Sequence, residues 1–76
     1  MVKLMQILYT RDISTLIKST RKAQNLTQDD LAGLSGIGRR FISDLENGKD
    51  TAQVGKTLKV ISSLGIILTA SSQWKS

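Results

Sequence analysis

The chain has no cysteine, no histidine and no proline, and a single residue each of Trp, Tyr and Phe. Without cysteine no disulfide can staple the fold, and without histidine as well no Cys/His metal centre can form. The same two absences remove the thiol nucleophile and the usual general base. So few aromatics supply neither a stacking platform for RNA nor the bulky face of a lipid-binding amphipathic helix. No apolar run approaches the ~20 residues of a membrane span. The opening MVKLMQILYTRD holds no long apolar segment with a small-residue cleavage site. Gly33, Gly36 and Gly38 follow no strand and precede no Gly-Lys-Ser/Thr, so they do not form a phosphate loop. Asp29 and Asp30, as neighbours, point to different sides of a helix. The expectation is a cytoplasmic protein that is not an enzyme and uses no catalytic residue, metal or cofactor.

What is present points elsewhere. At 76 residues the chain holds one domain, and a domain of this size buries only about 60% of its unfolded surface. With disulfides and metals excluded, a partner subunit is the remaining route to a deeper core. Eleven Lys and Arg against six Asp and Glu give a net charge of +5 and a pI near 10.0. That excess favours a polyanion, nucleic acid before an anionic membrane surface.

The periodicity predicts four helices. From Arg11 to Gln24, Ile13, Leu16, Ile17 and Ala23 recur at helical spacing, with Thr10 as N-cap, Asp12 in the first turn and Asn25 at the exit. Lys18, Arg21 and Lys22 read as its solvated face. Thr27 opens the second helix by capping the amide of Asp30, and Leu31 and Leu34 face the core. Gly36 supplies a positive φ, and Ile37 plugs the turn. The third helix runs from about Gly38 to Glu46 on Ile42 and Leu45, and Asn47-Gly48 ends it. The fourth spans about Ala52 to Leu64, with Val54, Leu58, Ile61 and Leu64 inward. Ile66, Ile67, Leu68 and Thr69 then form a short β-branched strand, hazardous if left unpaired. Pairing with the same strand of a second chain is favoured over pairing with Leu4 to Leu8. The organisation is an N-terminal extension over 1–10, a domain over 11–69 and a polar tail over 70–76.

Two short helices joined by a glycine turn, with arginines opening the second, match the way a helix-turn-helix presents side chains to the major groove. Arg39 and Arg40 then reach base edges, where arginine pairs bidentately with guanine O6 and N7. Ser43, one turn on, shares their face. Thr27, Gln28 and Lys49 are placed for phosphates. Gln28 and Ser43 also fit ordinary polar surface. Phe41 either packs beside Leu45 or offers its ring to a thymine methyl, with packing preferred. Trp74, in the tail SSQWKS, either anchors a partner protein or rests on its own domain.

The stretch LTQDDLAGLSGIGRRFISDLENGK resembles the Xre/lambda-repressor-like helix-turn-helix family. It shares the leucine-threonine-glutamine opening, the leucine-alanine pair, the turn glycine and the glutamate-x-glycine-lysine ending. The continuation TAQVGKTLKVISSLGIIL is similar to the HipB-type antitoxin branch, and the resemblance covers about Tyr9 to Leu68. It implies a mainly α domain of four helices plus a short C-terminal β-strand that pairs across a dimer. It also implies a homodimer on inverted-repeat double-stranded DNA that represses its own toxin-antitoxin operon and binds a HipA-like serine/threonine kinase toxin, in one chain or split in two. A stand-alone phage-type repressor is the alternative. By position, Gln28, Arg39, Arg40 and Ser43 become DNA contacts and Ile66 to Thr69 the intersubunit strand. Gly38 departs from the polar residue often found there, and Gly33 weakens the second helix by up to ~1 kcal/mol relative to Ala.

Overall fold

The computed structural model describes residues 5–50 and 53–74. It consists of α1 (Thr10–Ala23), α2 (Gln28–Ser35), α3 (Arg39–Glu46) and α4 (Val54–Ser63). The start of α1 lies one residue earlier than the sequence suggests, with Tyr9 rather than Thr10 as N-cap. The reason is Asp12, whose carboxylate accepts from the amides of both Leu8 and Tyr9 at 2.9 Å. Those two amides, reinforced by the Arg11 charge, hold the Asp12 carboxyl below its ordinary range. Asn25 takes the left-handed conformation (φ 59°) that ends α1. Thr27 and Asp30 form the expected reciprocal cap: the Asp30 amide donates to Thr27 Oγ1 at 3.0 Å and the Thr27 amide to Asp30 Oδ2 at 2.8 Å. Gly36 (φ 70°) closes α2, its N–H reaching the Ala32 carbonyl at 2.9 Å.

Ile17, Leu31, Ile37, Ile42, Leu45, Val60, Ile61 and Leu64 form the core, ringed by half-buried Ile13, Leu26, Ala32, Phe41 and Ile66. α2 packs on both α3 and α4, and α1 packs on α3. Two inward faces differ from the sequence reading. Leu34 is 61% exposed, because the buried stripe of α2 runs from Leu31 to Ser35 instead. Ser35 tolerates burial since its hydroxyl donates to the Leu31 carbonyl at 2.8 Å and accepts from the Ile37 amide at 3.2 Å. In α4 the buried stripe is Thr57, Val60, Ile61 and the capping Leu64, while Val54 and Leu58 are exposed. Thr57 can sit inward because its hydroxyl donates to the Gln53 carbonyl at 3.1 Å. Ala23 is exposed as well, at the last turn of α1. The expected helix start at Ala52 lies outside the described residues.

Beyond α4 the chain has no regular secondary structure, and no strand forms among the described residues. Ile66 packs against the core and its N–H reaches the Ile61 carbonyl at 3.3 Å, but Ile67 is 86% exposed. A strand requires a neighbour to receive its N–H and C=O groups, and within one chain residues 5–8 do not supply it. The remainder of that alternative, Leu4, lies outside the described residues, as do 1–3 of the extension and 75–76 of the tail. Trp74 is 88% exposed, so its indole does not rest on its own domain. Among the described residues no helix is long and apolar enough to cross a membrane, and no group of carboxylates could hold a metal ion.

Candidate nucleic-acid interface

Ile37 is buried in the turn, so the turn is pinned to the core and the first residues of α3 emerge from it at a fixed angle. Gly38 is the N-cap, and Arg39 and Arg40 follow as exposed, adjacent side chains. The burial of Ile42, Leu45 and Glu46 sets the rotation of this helix. At ~100° per residue it sends Arg40 and Asp44 most directly outward and leaves Arg39 and Ser43 on the flank towards α2. Ser43 is half-buried there. Arg39 Nε stands 3.2 Å from Asp29 Oδ1 in the first turn of α2, whereas Arg40 has no ion-pair partner among the described residues. Lys49 Nζ lies 3.7 Å from Asp44 Oδ2, beyond the C-terminus of α3.

Gln28 is less free than its position in sequence suggests. Its Nε2 donates to Glu46 Oε1 at 3.2 Å, which fixes the carboxamide and leaves its second N–H and its oxygen available. Thr27, exposed beside it, accepts from the Asp30 amide through its hydroxyl. Phe41 is half-buried against the core and carries Lys56 Nζ 5.6 Å from its ring centroid, so it packs between α3 and α4.

The support beneath this surface is an ion pair that the sequence expectation does not contain. Arg21 belongs not to the solvated face of α1 but to its buried stripe, at 8% exposure, facing Glu46 at 7%. Arg21 Nε donates to Glu46 Oε2 at 2.7 Å and Nη2 to Oε1 at 2.9 Å, while Nη1 reaches the Leu26 carbonyl at 2.7 Å. One guanidinium thereby joins α1, α3 and the loop leading into α2. Burial pushes the Glu46 carboxyl up, but the hydrogen bonds from Arg21 and Gln28 and the charges of Arg21 and Lys18 outweigh it, and the carboxyl stays below its usual range. The hydrogen bond to Glu46 raises Arg21 in turn. The sequence holds a signal for this pair: Arg21 follows Ile17 by four and Glu46 follows Ile42 by four, so opposite charges continue two apolar stripes. Lys18 and Lys22 are exposed, as read.

Comparison with known proteins matches this arrangement. A helix-turn-helix family model covers residues 17–66. The chain is 59% identical over 54 residues to an uncharacterized HTH-type transcriptional regulator, y4mF, of Sinorhizobium fredii (strain NBRC 101917 / NGR234), spanning 71% of each chain. Among solved structures it is similar to a serine-to-alanine variant of HipB in complex with an O2 20mer, with a TM-score of 0.83 and 25% identity over 95% of this chain and 100% of that one. It is likewise similar to a chain of the HipA-HipB-O2-O3 complex, with a TM-score of 0.82 and 25% identity over 93% of this chain and 100% of that one. The chain therefore belongs to the helix-turn-helix family, as a DNA-binding transcriptional regulator of the Xre-like type and not an enzyme.

Proposed function

We propose that this regulator is a homodimeric repressor of an inverted-repeat operator, the antitoxin of a toxin-antitoxin operon that it autoregulates. Its second partner is a HipA-like serine/threonine kinase, in one chain or two. The observation that carries this reading is the extent of the likeness to HipB, which reaches 95% of this chain and so runs past the helix-turn-helix itself. The neighbour that binds both HipA and operator DNA supports the same pair of partners. Arg39, Arg40 and Ser43 face base edges in this reading. Thr27, Gln28 and Lys49 hold phosphates, with Gln28 using the second N–H of its carboxamide while the first is donated to Glu46.

The test is selection of bound sites from a random duplex pool at physiological salt. An enriched inverted repeat with half-sites ~10 bp apart, or a multiple of that, is expected. Arg39→Ala and Arg40→Ala each then cost ~1–3 kcal/mol on the selected site and relax a different guanine position. Equal loss on selected and random duplex would move that arginine to the phosphate class. No enrichment at all would sink sequence-specific repression by this chain alone.

Trp74 is the proposed anchor for the kinase. An indole that is 88% exposed beside polar residues has a large apolar surface with no intramolecular contact to cover it. Ending the chain after Ser72 is expected to weaken kinase binding by about 2 kcal/mol or more, in the range of an interface hot spot, with operator affinity unchanged. Kinase affinity equal to that of the intact chain would remove Trp74 from the interface. Recovery of no kinase by the intact chain would instead favour the stand-alone, phage-type repressor.

A further inference from the structure

The contact between Arg39 Nε and Asp29 Oδ1, 3.2 Å, ties the first turn of α3 to the first turn of α2. Both side chains are largely exposed, so the pair adds little to folding. Its orientation has a different consequence. A guanidinium carries five donors on a planar fork, and bidentate recognition of guanine uses two of them. With the carboxylate held at Nε, the Nη1 and Nη2 end is the part left for O6 and N7. The neighbouring carboxylate, Asp30, is committed to capping α2, whereas the pair with Arg39 is the sole ion pair of Asp29 among the described residues. A carboxylate on the surface that meets a polyanion also opposes binding to every duplex, whatever its sequence. Its presence beside the first arginine of α3 therefore calls for a gain in selectivity to offset that repulsion.

We propose that Asp29 is a positioning residue that fixes the Arg39 guanidinium for one guanine, raising sequence selectivity while lowering general affinity for DNA. The inference rests on the reading of Arg39 as a base-contacting residue. In the free protein the pair removes part of the rotamer freedom of a long side chain before DNA arrives. In the complex, where water is excluded, the same contact strengthens.

The experiment compares the intact chain with its Asp29→Ala, Asp29→Asn and Arg39→Ala variants. Affinities are measured for the selected operator, for operators with each guanine replaced in turn, and for random duplex. Arg39→Ala identifies the position that Arg39 reads. Asp29→Ala is expected to bind random duplex more tightly than the parent and to lose about three- to fivefold of the guanine preference at that same position, the scale of an exposed ion-pair coupling. Asp29→Asn is expected to keep most of the preference, because its Oδ1 still accepts from Nε. Preference is a ratio measured on one protein sample, so any loss of folded fraction cancels. Full guanine preference in Asp29→Ala, with affinity raised equally on every duplex, would overturn the proposal and leave Asp29 as a charge facing the backbone. If Arg39→Ala relaxes no position, the base-reading role of Arg39 fails and the positioning role falls with it.

Discussion

Replacing Glu46 with Ala is expected to destabilise the domain by several kcal/mol at neutral pH. The Arg21 guanidinium is buried and directs two of its three nitrogens at Glu46, so the substitution strands a charge that cannot reach water without breaking the core. Removing one member of a buried pair costs ~3–5 kcal/mol. A chain of 76 residues holds roughly 4–11 kcal/mol in all at ~0.05–0.15 kcal/mol per residue. The loss takes between roughly a quarter and all of that margin, and the thermal midpoint is expected to drop by at least about 12 °C. The double variant Arg21→Met with Glu46→Leu removes both charges and is expected to recover at least half of the lost midpoint. Thermal unfolding followed by circular dichroism measures both. A Glu46→Ala protein that melts within a few degrees of the parent would mean that the pair is effectively solvated.

The same pair sets an acid limit. The folded state holds the Glu46 carboxyl below its ordinary value, so it binds that proton less readily than the unfolded chain does. The resulting stability is present in full above the ordinary glutamate range and is lost as the pH falls through the lower folded-state value. Asp12 and Asp30, both held down by backbone amides, act in the same direction. The midpoint of the parent should therefore fall on acidification below about pH 4.5. That dependence should be shallower in the double variant.

What could be read from the sequence was what depends on few residues. Thr27 and Asp30 cap α2 through a reciprocal bond three residues long, and Gly36 turns the chain by its own φ, so both were legible locally. Ile42 and Leu45 are legible because the apolar residues of α3, Phe41 included, all fall on one face. Leu34 was not, since α2 carries apolar residues at both Leu31 + 1 and Leu31 + 3, and docking against α3 and α4 decides between them. In α4, Ile61 belongs to a stripe through Val54 and Leu58 and equally to one through Thr57 and Leu64. Only packing selects the second. Arg21 and Glu46 are not legible because on its own helix each charge reads as surface. Their burial is favourable only as a pair 25 residues apart. The exposure of Arg39 and Arg40 was legible, but the Asp29 partner of Arg39 depends on how two helices meet, which no spacing encodes.

Ending the chain after Ile66 is expected to leave a folded monomer that has lost operator binding. Ile66 is retained because it packs on the core and bonds back to Ile61, so the four helices keep their support. What is removed is an apolar segment led by Ile67, which the single chain leaves 86% exposed. Burying an isoleucine is worth ~1.5–3 kcal/mol, and a symmetric pairing buries it in both copies. That ~3–6 kcal/mol is comparable with the lower estimates for the cost of association, ~4 kcal/mol and upwards. In the proposed dimer, loss of Ile67, Leu68 and Thr69 is therefore expected to decide whether the subunits associate at working concentrations. Separating two linked reading heads forfeits an effective-concentration gain of ~10²–10⁴, so operator affinity should fall by that factor. Affinity for a single half-site should change little. Sedimentation of the truncated chain alongside operator titration measures both quantities. Ile67→Asp repeats the test without deleting Trp74, since it places a like charge in each of two paired strands. If the truncated chain still sediments as a dimer and keeps its operator affinity, the subunits meet elsewhere, and the exposed Val54 and Leu58 of α4 become the next surface to alter.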